Sequence, residues 1–261
     1  MVSTEDRAQR LVESARKYRA PFTLDPTLAL YSPQDNLDSL GHPSVRAWFD
    51  FIQRDYAPAL PAATRRILLL LPCTATKPYI LSTEHRRINA ALLAAGFRPT
   101  APADPLLAGE DGDPALLSLA PLLHPTGVLL HRAVISEPLG LVPYEHMLAF
   151  PGGTSPAVQY DDPGLFEDRG NAVSPWRGDC TATRTSATRW AWGPAEKRAY
   201  VGMHNAMSDQ VARALLRFGG IYDAQRVRQQ VVGAHQRQPF GAADTAGGHA
   251  MRGAFMLRDH E

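Results

Sequence analysis

Apolar residues along the chain change period several times, and each change marks an element. Residues 4–18 carry the charge mix of a solvent-exposed helix, and residues 21–41 are irregular, broken by Pro, Asp, Asn and Ser. After His42-Pro43-Ser44, the residues Val45, Trp48, Phe49 and Ile52 recur at helical spacing with Tyr56 one turn on, which predicts a core-facing stripe. Arg65-Arg66 leads into Ile67-Leu68-Leu69-Leu70-Leu71, a short apolar run closed by Pro72 and read as a strand buried on both faces. Ser82-Thr83-Glu84 then supplies an N-cap and an acidic first turn for a helix through Ile88, Leu92 and Leu93, stopped at Gly96.

Prolines punctuate residues 100–125, read as loop with a short helical piece near residues 115–119. Residues 127–135 (GVLLHRAVI) form a second strand region that ends abruptly in Ser136-Glu137-Pro138-Leu139-Gly140-Leu141-Val142-Pro143. The Gly-, Pro- and Asp-rich stretch 151–178 contains Gln159-Tyr160-Asp161-Asp162-Pro163, a third strand end or a loop over a site. Tyr200, Met203, Met207, Val211 and Leu215 predict a long amphipathic helix over residues 194–218, with Gly219-Gly220 as its stop. A second helix over residues 222–236 and a Gly/Ala-rich tail complete the pattern. Buried strands alternating with helices read as an α/β fold. Ligands of open α/β sheets bind outside the carboxyl ends of the strands, so two strand ends with unusual chemistry point to one site.

Composition narrows the partners. The 261 residues include 27 Lys+Arg and 26 Asp+Glu, for a net charge of +1. A broadly basic nucleic-acid coat is excluded, and any such contact needs a local patch. Arg184, Arg189, Lys197 and Arg198 cluster around Trp190 and Trp192, where a solvated loop with core tryptophans is favoured over a nucleotide-stacking platform. The N-terminal MVSTEDRAQR lacks the apolar core of a signal peptide, and the only cysteines are Cys73 and Cys180, so a cytoplasmic protein with reduced thiols is expected. Apolar runs are too short to span a membrane. Neither CxxC nor HExxH spacing nor a Gly-rich phosphate loop occurs, and no metal or cofactor is expected.

Pro72-Cys73-Thr74-Ala75-Thr76-Lys77-Pro78-Tyr79-Ile80-Leu81-Ser82-Thr83-Glu84-His85 places a thiol, an amine, a phenol, a hydroxyl and an imidazole between a buried strand and the next helix. A cysteine past a strand end, near a cation and a helix N-terminus, is in surroundings that lower a thiol's pKa and make a nucleophile. Each residue alone has a bland reading: a small buried hydrophobe, an N-cap, a satisfied histidine. Their combination favours chemistry.

This run reads P-C-x-x-x-K-P-Y-x-x-S-x-x-H and resembles the signature of archaeosine synthase, the archaeal paralogue of tRNA-guanine transglycosylase. The segment from Ser136 to Pro143 is similar to that family's S-P-L-G-L-V-P with Glu137 as an extra residue. Phe150-Pro151 and Tyr160-Asp161 resemble its Y-P-A-x-x-Y-D segment, split here by residues 152–158. The likeness covers residues 42–220 and corresponds to the family's catalytic core, with residues 1–41 as an N-terminal extension and residues 221–261 as a C-terminal helix and tail.

The resemblance implies a three-layer α/β/α sandwich with a mainly parallel central sheet, similar to the uracil-DNA glycosylases. It implies attack of an amine, from lysine or a similar donor, on the nitrile of 7-cyano-7-deazaguanine to give an amidine, with no ATP. It assigns Cys73, Lys77, His85 and Asp161 to catalysis: Cys73 adding to the nitrile carbon, Lys77 holding the thiolate or polarising the nitrile, and His85 or Asp161 moving protons. Asp161 alternatively pairs with the guanine-like edge. Pro72, Tyr79, Ser82, Ser136, Leu139, Gly140 and Tyr160 are expected to line the substrate. The family's transglycosylase-like and RNA-binding domains have no room in 261 residues. A free base, a nucleoside, or a base in DNA or in tRNA brought by a partner protein are all compatible substrates, and a homodimer is left open. A base-excision glycosylase and a noncatalytic deazapurine-binding subunit are the competing readings; Pro72-Cys73 at the strand end favours covalent nitrile chemistry over water activation.

Overall fold

The computed structural model describes residues 5–107, 109–110, 113–162, 172–187 and 189–227. In chain order its strands are β1 (Arg65–Pro72), β2 (Arg98–Pro99), β3 (Leu122–Leu123), β4 (Val128–Ser136), β5 (Gly140–Pro143), β6 (Ala149–Phe150), β7 (Gly153–Thr154), β8 (Thr183–Arg184), β9 (Trp190–Ala191) and β10 (Ala224–Val227). The six-stranded sheet runs β10-β1-β4-β3-β2, with β5 also paired to β4. β1 is parallel to β10 and β4, whereas β3, β2 and β5 join antiparallel, so the sheet is mixed. The expected parallel pairing holds at the centre and gives way at the edge.

Leu70 and Leu71 point to opposite faces of β1 and both are buried, as are Leu129 and Leu130 on β4. Strands covered on both faces read as unbroken apolar runs, and this one was legible for that reason. β1 and β4 run in register from Arg65↔Val128 to Pro72↔Ile135, so Cys73 and Ser136 emerge side by side at the carboxyl ends. The backbone N–H of Cys73 donates to the Ile135 carbonyl at 3.2 Å.

Among the described residues the α-helices are α1 (Glu5–Ala15), α2 (Pro33–Ser39), α3 (Pro43–Asp50), α4 (Thr83–Ala94) and α5 (Pro194–Phe218). Val45, Trp48, Ile52 and Tyr56 are buried as the spacing predicts, with a π turn (Phe51–Asp55) extending α3, while Phe49 is only partly buried. Ser82 Oγ caps α4 by accepting from His85 N–H, and Gly96, at φ +97°, closes it. α5 packs on α2 and on β5, burying Met203, Met207 and Val211.

Two expectations change. Residues 21–41, read as irregular, contain α2: Ser32 caps it by accepting from Asp35 N–H, and Pro33 occupies its first turn. Cap residues that look like breakers in sequence here start a helix. The helix expected over residues 222–236 is replaced at its start by β10, which follows a short 3-10 turn (Gly219–Ile221). Asp223 explains the change. Its N–H donates to the Arg66 carbonyl at 2.8 Å and its Oδ2 accepts from Arg66 N–H at 2.6 Å, docking the chain onto β1. The described residues fall in one compact unit, Met1–Gln229, so the sheet continues past the expected boundary at residue 220. The remainder of that predicted helix and the tail lie outside the described residues. Among the described residues, no helix is long and apolar enough to cross a membrane.

Candidate active site

At the carboxyl ends of β1 and β4, side chains far apart in sequence meet around Cys73. Ser136 and the charges of Lys77, Asp162 and Glu137 act on its thiol. Ser136 Oγ also bonds the hydroxyl of Tyr79 at 2.9 Å and that of Tyr160, and the two phenols bond each other at 2.8 Å. Ser136, Tyr79 and Tyr160 are all buried, so this hydroxyl triangle is shielded from competing water.

The thiol keeps a partly exposed face, yet the surrounding protein strips it of most of its hydration. Burial pushes Cys73 up to about 11, and the Lys77 charge offsets only part of that rise. The expected lowering of the thiol's pKa is therefore reversed. Burial likewise pulls Lys77 down. Both shifts have one cause: a dry site favours the neutral thiol and neutral amine over thiolate and ammonium. Lys77 Nζ donates to the Thr74 carbonyl at 2.6 Å and lies 4.8 and 4.5 Å from the ring centres of Tyr79 and Tyr160. The amine is thereby fixed against the same two phenols that hold Ser136.

Asp161 is placed by its backbone, which bridges to Ala29 in the N-terminal segment. Its carboxylate accepts both hydrogen bonds of Lys17 Nζ, at 2.7 and 3.0 Å. Tyr18, next in the chain, bridges to Lys77 through its backbone and donates its hydroxyl to the Tyr160 carbonyl. The N-terminal extension, expected to pack on the core, thus contributes Lys17 and Tyr18 to the site. Its helix pattern hid this, because Lys17 reads as one more solvated charge. Lysine scarcity was the available signal: the chain has only Lys17, Lys77 and Lys197 among its 27 Lys+Arg, and two of the three are here.

The other expected residues separate into two groups. Tyr79, Ser136 and Tyr160 join the cluster, whereas Pro72, Ser82, His85, Leu139 and Gly140 make fixed contacts behind it. His85 is fully buried, donates from Nε2 to the Pro72 carbonyl at 2.9 Å and accepts the Tyr144 hydroxyl at Nδ1, 2.6 Å away. With both nitrogens engaged, moving a proton through His85 requires breaking one of these bonds. Ser82 is the N-cap of α4. Leu139 gives its carbonyl to Trp48 Nε1 at 3.2 Å. Gly140, at φ +69°, turns β4 into β5, and a Cβ there would meet Gln210 at 3.3 Å.

Glu137, the extra residue of the strand-end segment, is buried. Its Oε2 accepts from Asn36 Nδ2 at 2.9 Å and its Oε1 lies 2.8 Å from His204 Nε2 on α5. Neither His204 nor Asn36 stands near Glu137 in sequence, and only packing of α2 and α5 reveals the group. The tryptophan loop forms the β8–β9 hairpin, where Trp192 donates to the Ala172 carbonyl at 3.1 Å and packs on Tyr200. Among the described residues, no cluster of three or more His, Cys, Asp and Glu converges to hold a metal ion.

Chemically, the arrangement offers a soft nucleophile with a base beside it, hydroxyl donors, and carboxylates at the rim. Comparison of the chain with protein-family models, curated proteins and solved structures finds no match.

Proposed function

We propose that the protein is an amidine-forming transferase that adds an amine to the nitrile of 7-cyano-7-deazaguanine. The observation that carries this reading is the convergence of Cys73, Lys77, Ser136 and Tyr160 at the ends of two parallel strands. The archaeosine-synthase-like signature supplies the substrate class, and the geometry is compatible with its chemistry. A three-layer sandwich of the uracil-DNA glycosylase type is the finer fold we assign on the same grounds.

A nitrile is already an activated carbon, so a thiol and an amine suffice. Cys73 Sγ bonds the nitrile carbon as Lys77, whose amine burial keeps available as a base, relays the thiol proton to the nitrile nitrogen. The thioimidate is then attacked by the incoming amine. Collapse breaks the C–S bond, one proton of the added amine passes through Lys77 to sulfur, and the amidine leaves. Tyr79, Tyr160 and Ser136 hold the reacting edge of the site without carrying net charge. Asp161 and Asp162 provide carboxylates for a guanine-like edge or an ammonium donor.

A net charge of +1 favours a small or partner-delivered substrate over tRNA bound by this chain alone, and a cytoplasmic setting suits the free thiols. The test is incubation with the nitrile as base, nucleoside and tRNA, each with lysine, glutamine or ammonia, read by mass spectrometry. An amidine product that is lost in Cys73→Ala supports the reading. Release of a free base from uracil-containing DNA, with no amidine from any nitrile, overturns it in favour of a glycosylase.

A further inference from the structure

A cleft of about 250 Å3 opens where α1, α2 and the segment 172–187 meet. Its lining includes none of Cys73, Lys77, Tyr79, Ser136 or Tyr160, so it is not the candidate active site. Sites for drug-sized ligands begin at roughly 300 Å3, and this one therefore suits a smaller molecule.

Its walls carry charges of both signs. Asp35 is committed to the fold: Oδ1 accepts from Arg177 Nη1 at 2.7 Å, and Oδ2 accepts from Tyr31 N–H at 3.0 Å and from the Ser174 hydroxyl. Arg177 is fixed in turn, giving Nε to Asp179 at 2.7 Å and Nη2 to Asp38 at 2.8 Å. Asp38 is in a different position. Its side chain is 64% exposed and Arg177 holds Oδ2, leaving Oδ1 to accept from a ligand. On α1, Arg7 gives Nη2 to the Pro26 carbonyl at 3.1 Å. That acceptor is uncharged, so the bond orients the guanidinium without neutralising it.

This arrangement selects by charge. A simple anion in the cleft meets Asp35 and Asp38, a simple cation meets Arg7 and Arg177, and like charges brought together are costly. A molecule with an ammonium and a carboxylate on adjacent atoms satisfies both signs through charge-assisted hydrogen bonds. We propose that the cleft is a binding site for a free α-amino acid, with its ammonium on Asp38 and its carboxylate on Arg7. Ala29 and Leu30 also line the cleft, and Leu30 N–H donates to the Asp161 carbonyl at 2.8 Å, so the site lies one hydrogen-bonded strand from the rim of the active site. The inference draws on none of the groups used for nitrile chemistry and stands or falls separately from that reading.

The test is equilibrium dialysis of the full chain with radiolabelled L-alanine, L-glutamine and L-lysine. Saturable binding of at least one is expected, and its N-acetyl and methyl-ester forms, each lacking one charge, should bind about tenfold more weakly or less well still. Asp38→Asn and Arg7→Met are each expected to weaken binding about tenfold with the melting temperature within a few degrees of wild type, because Arg177 keeps Asp35 and Asp179 in both. Inorganic phosphate should not displace the amino acid. The proposal is overturned if none of the three binds at about 10 mM, if an N-acetylated form or phosphate competes equally, which marks an anion site, or if binding survives both substitutions, which places it elsewhere in the molecule.

Discussion

Lys17 Nζ grips both carboxylate oxygens of Asp161, at 2.7 and 3.0 Å, and so ties the N-terminal segment to the rim of the site. The lysine side chain is 40% exposed while the carboxylate is 3% exposed. Water can replace the ammonium at its open end, so the pair contributes about 1 kcal/mol or less to stability. Lys17→Met is expected to shift the melting temperature by only a few degrees while lowering kcat/KM for amidine formation about tenfold. Thermal melts and steady-state kinetics on the same preparation check both halves.

The neutral thiol makes a kinetic prediction. With Cys73 pushed up to about 11 by burial, its thiolate fraction rises about tenfold per pH unit through the neutral range. Iodoacetamide labelling of Cys73 is expected to accelerate steadily from about pH 7 to 10, without the early plateau of an activated cysteine. Lys77→Met removes the amine whose charged form lowers the thiol and whose neutral form accepts its proton, so labelling at a given pH should slow further.

Glu196 sets the acid limit of the fold. Its buried carboxylate accepts from Thr181 N–H, Thr181 Oγ1, Gln34 Nε2 and Gly193 N–H, and these bonds outweigh burial and lower it from 4.5 to about 2. A depressed folded-state pKa stabilises above the unfolded value and loses that contribution as pH falls toward the folded one. The window is therefore about pH 4.5 down to 2, with roughly 3 kcal/mol at stake. Urea unfolding at neutral and acid pH should show this loss, and Glu196→Gln should flatten it.

Tyr144 supports the strand end from behind. Its hydroxyl bonds His85 Nδ1 and its ring lies 4.3 Å from the guanidinium of fully buried Arg132. Tyr144→Phe deletes the buried hydroxyl that bonds His85 Nδ1 and is expected to cost about 1–3 kcal/mol by chemical denaturation. Because Lys77 and Ser136 are untouched, Cys73 alkylation should change little.

What could be read from the sequence follows from where each signal resides. β1, α4 and α5 were legible because burial on two faces, a capping serine and a 3.6-residue stripe leave local patterns. β10 was not, because the Asp223 bonds that dock it on β1 exist only after folding. Cys73, Lys77 and Tyr79 lie in one short run and announced themselves together. Lys17, Glu137 and His204 did not, since each is an ordinary residue until α1, α2 and α5 pack around the strand ends. The sign of the thiol's shift was missed for a related reason: sequence shows the neighbouring cation but not the depth of burial that outweighs it.

The most direct measurement of the central claim is intact mass spectrometry of the protein mixed with 7-cyano-7-deazaguanine and no amine. The expected result is a covalent adduct on Cys73 that is absent in Cys73→Ala and that discharges as amidine when lysine or another amine is added. An unmodified Cys73, with amidine formation persisting in Cys73→Ala, would contradict it.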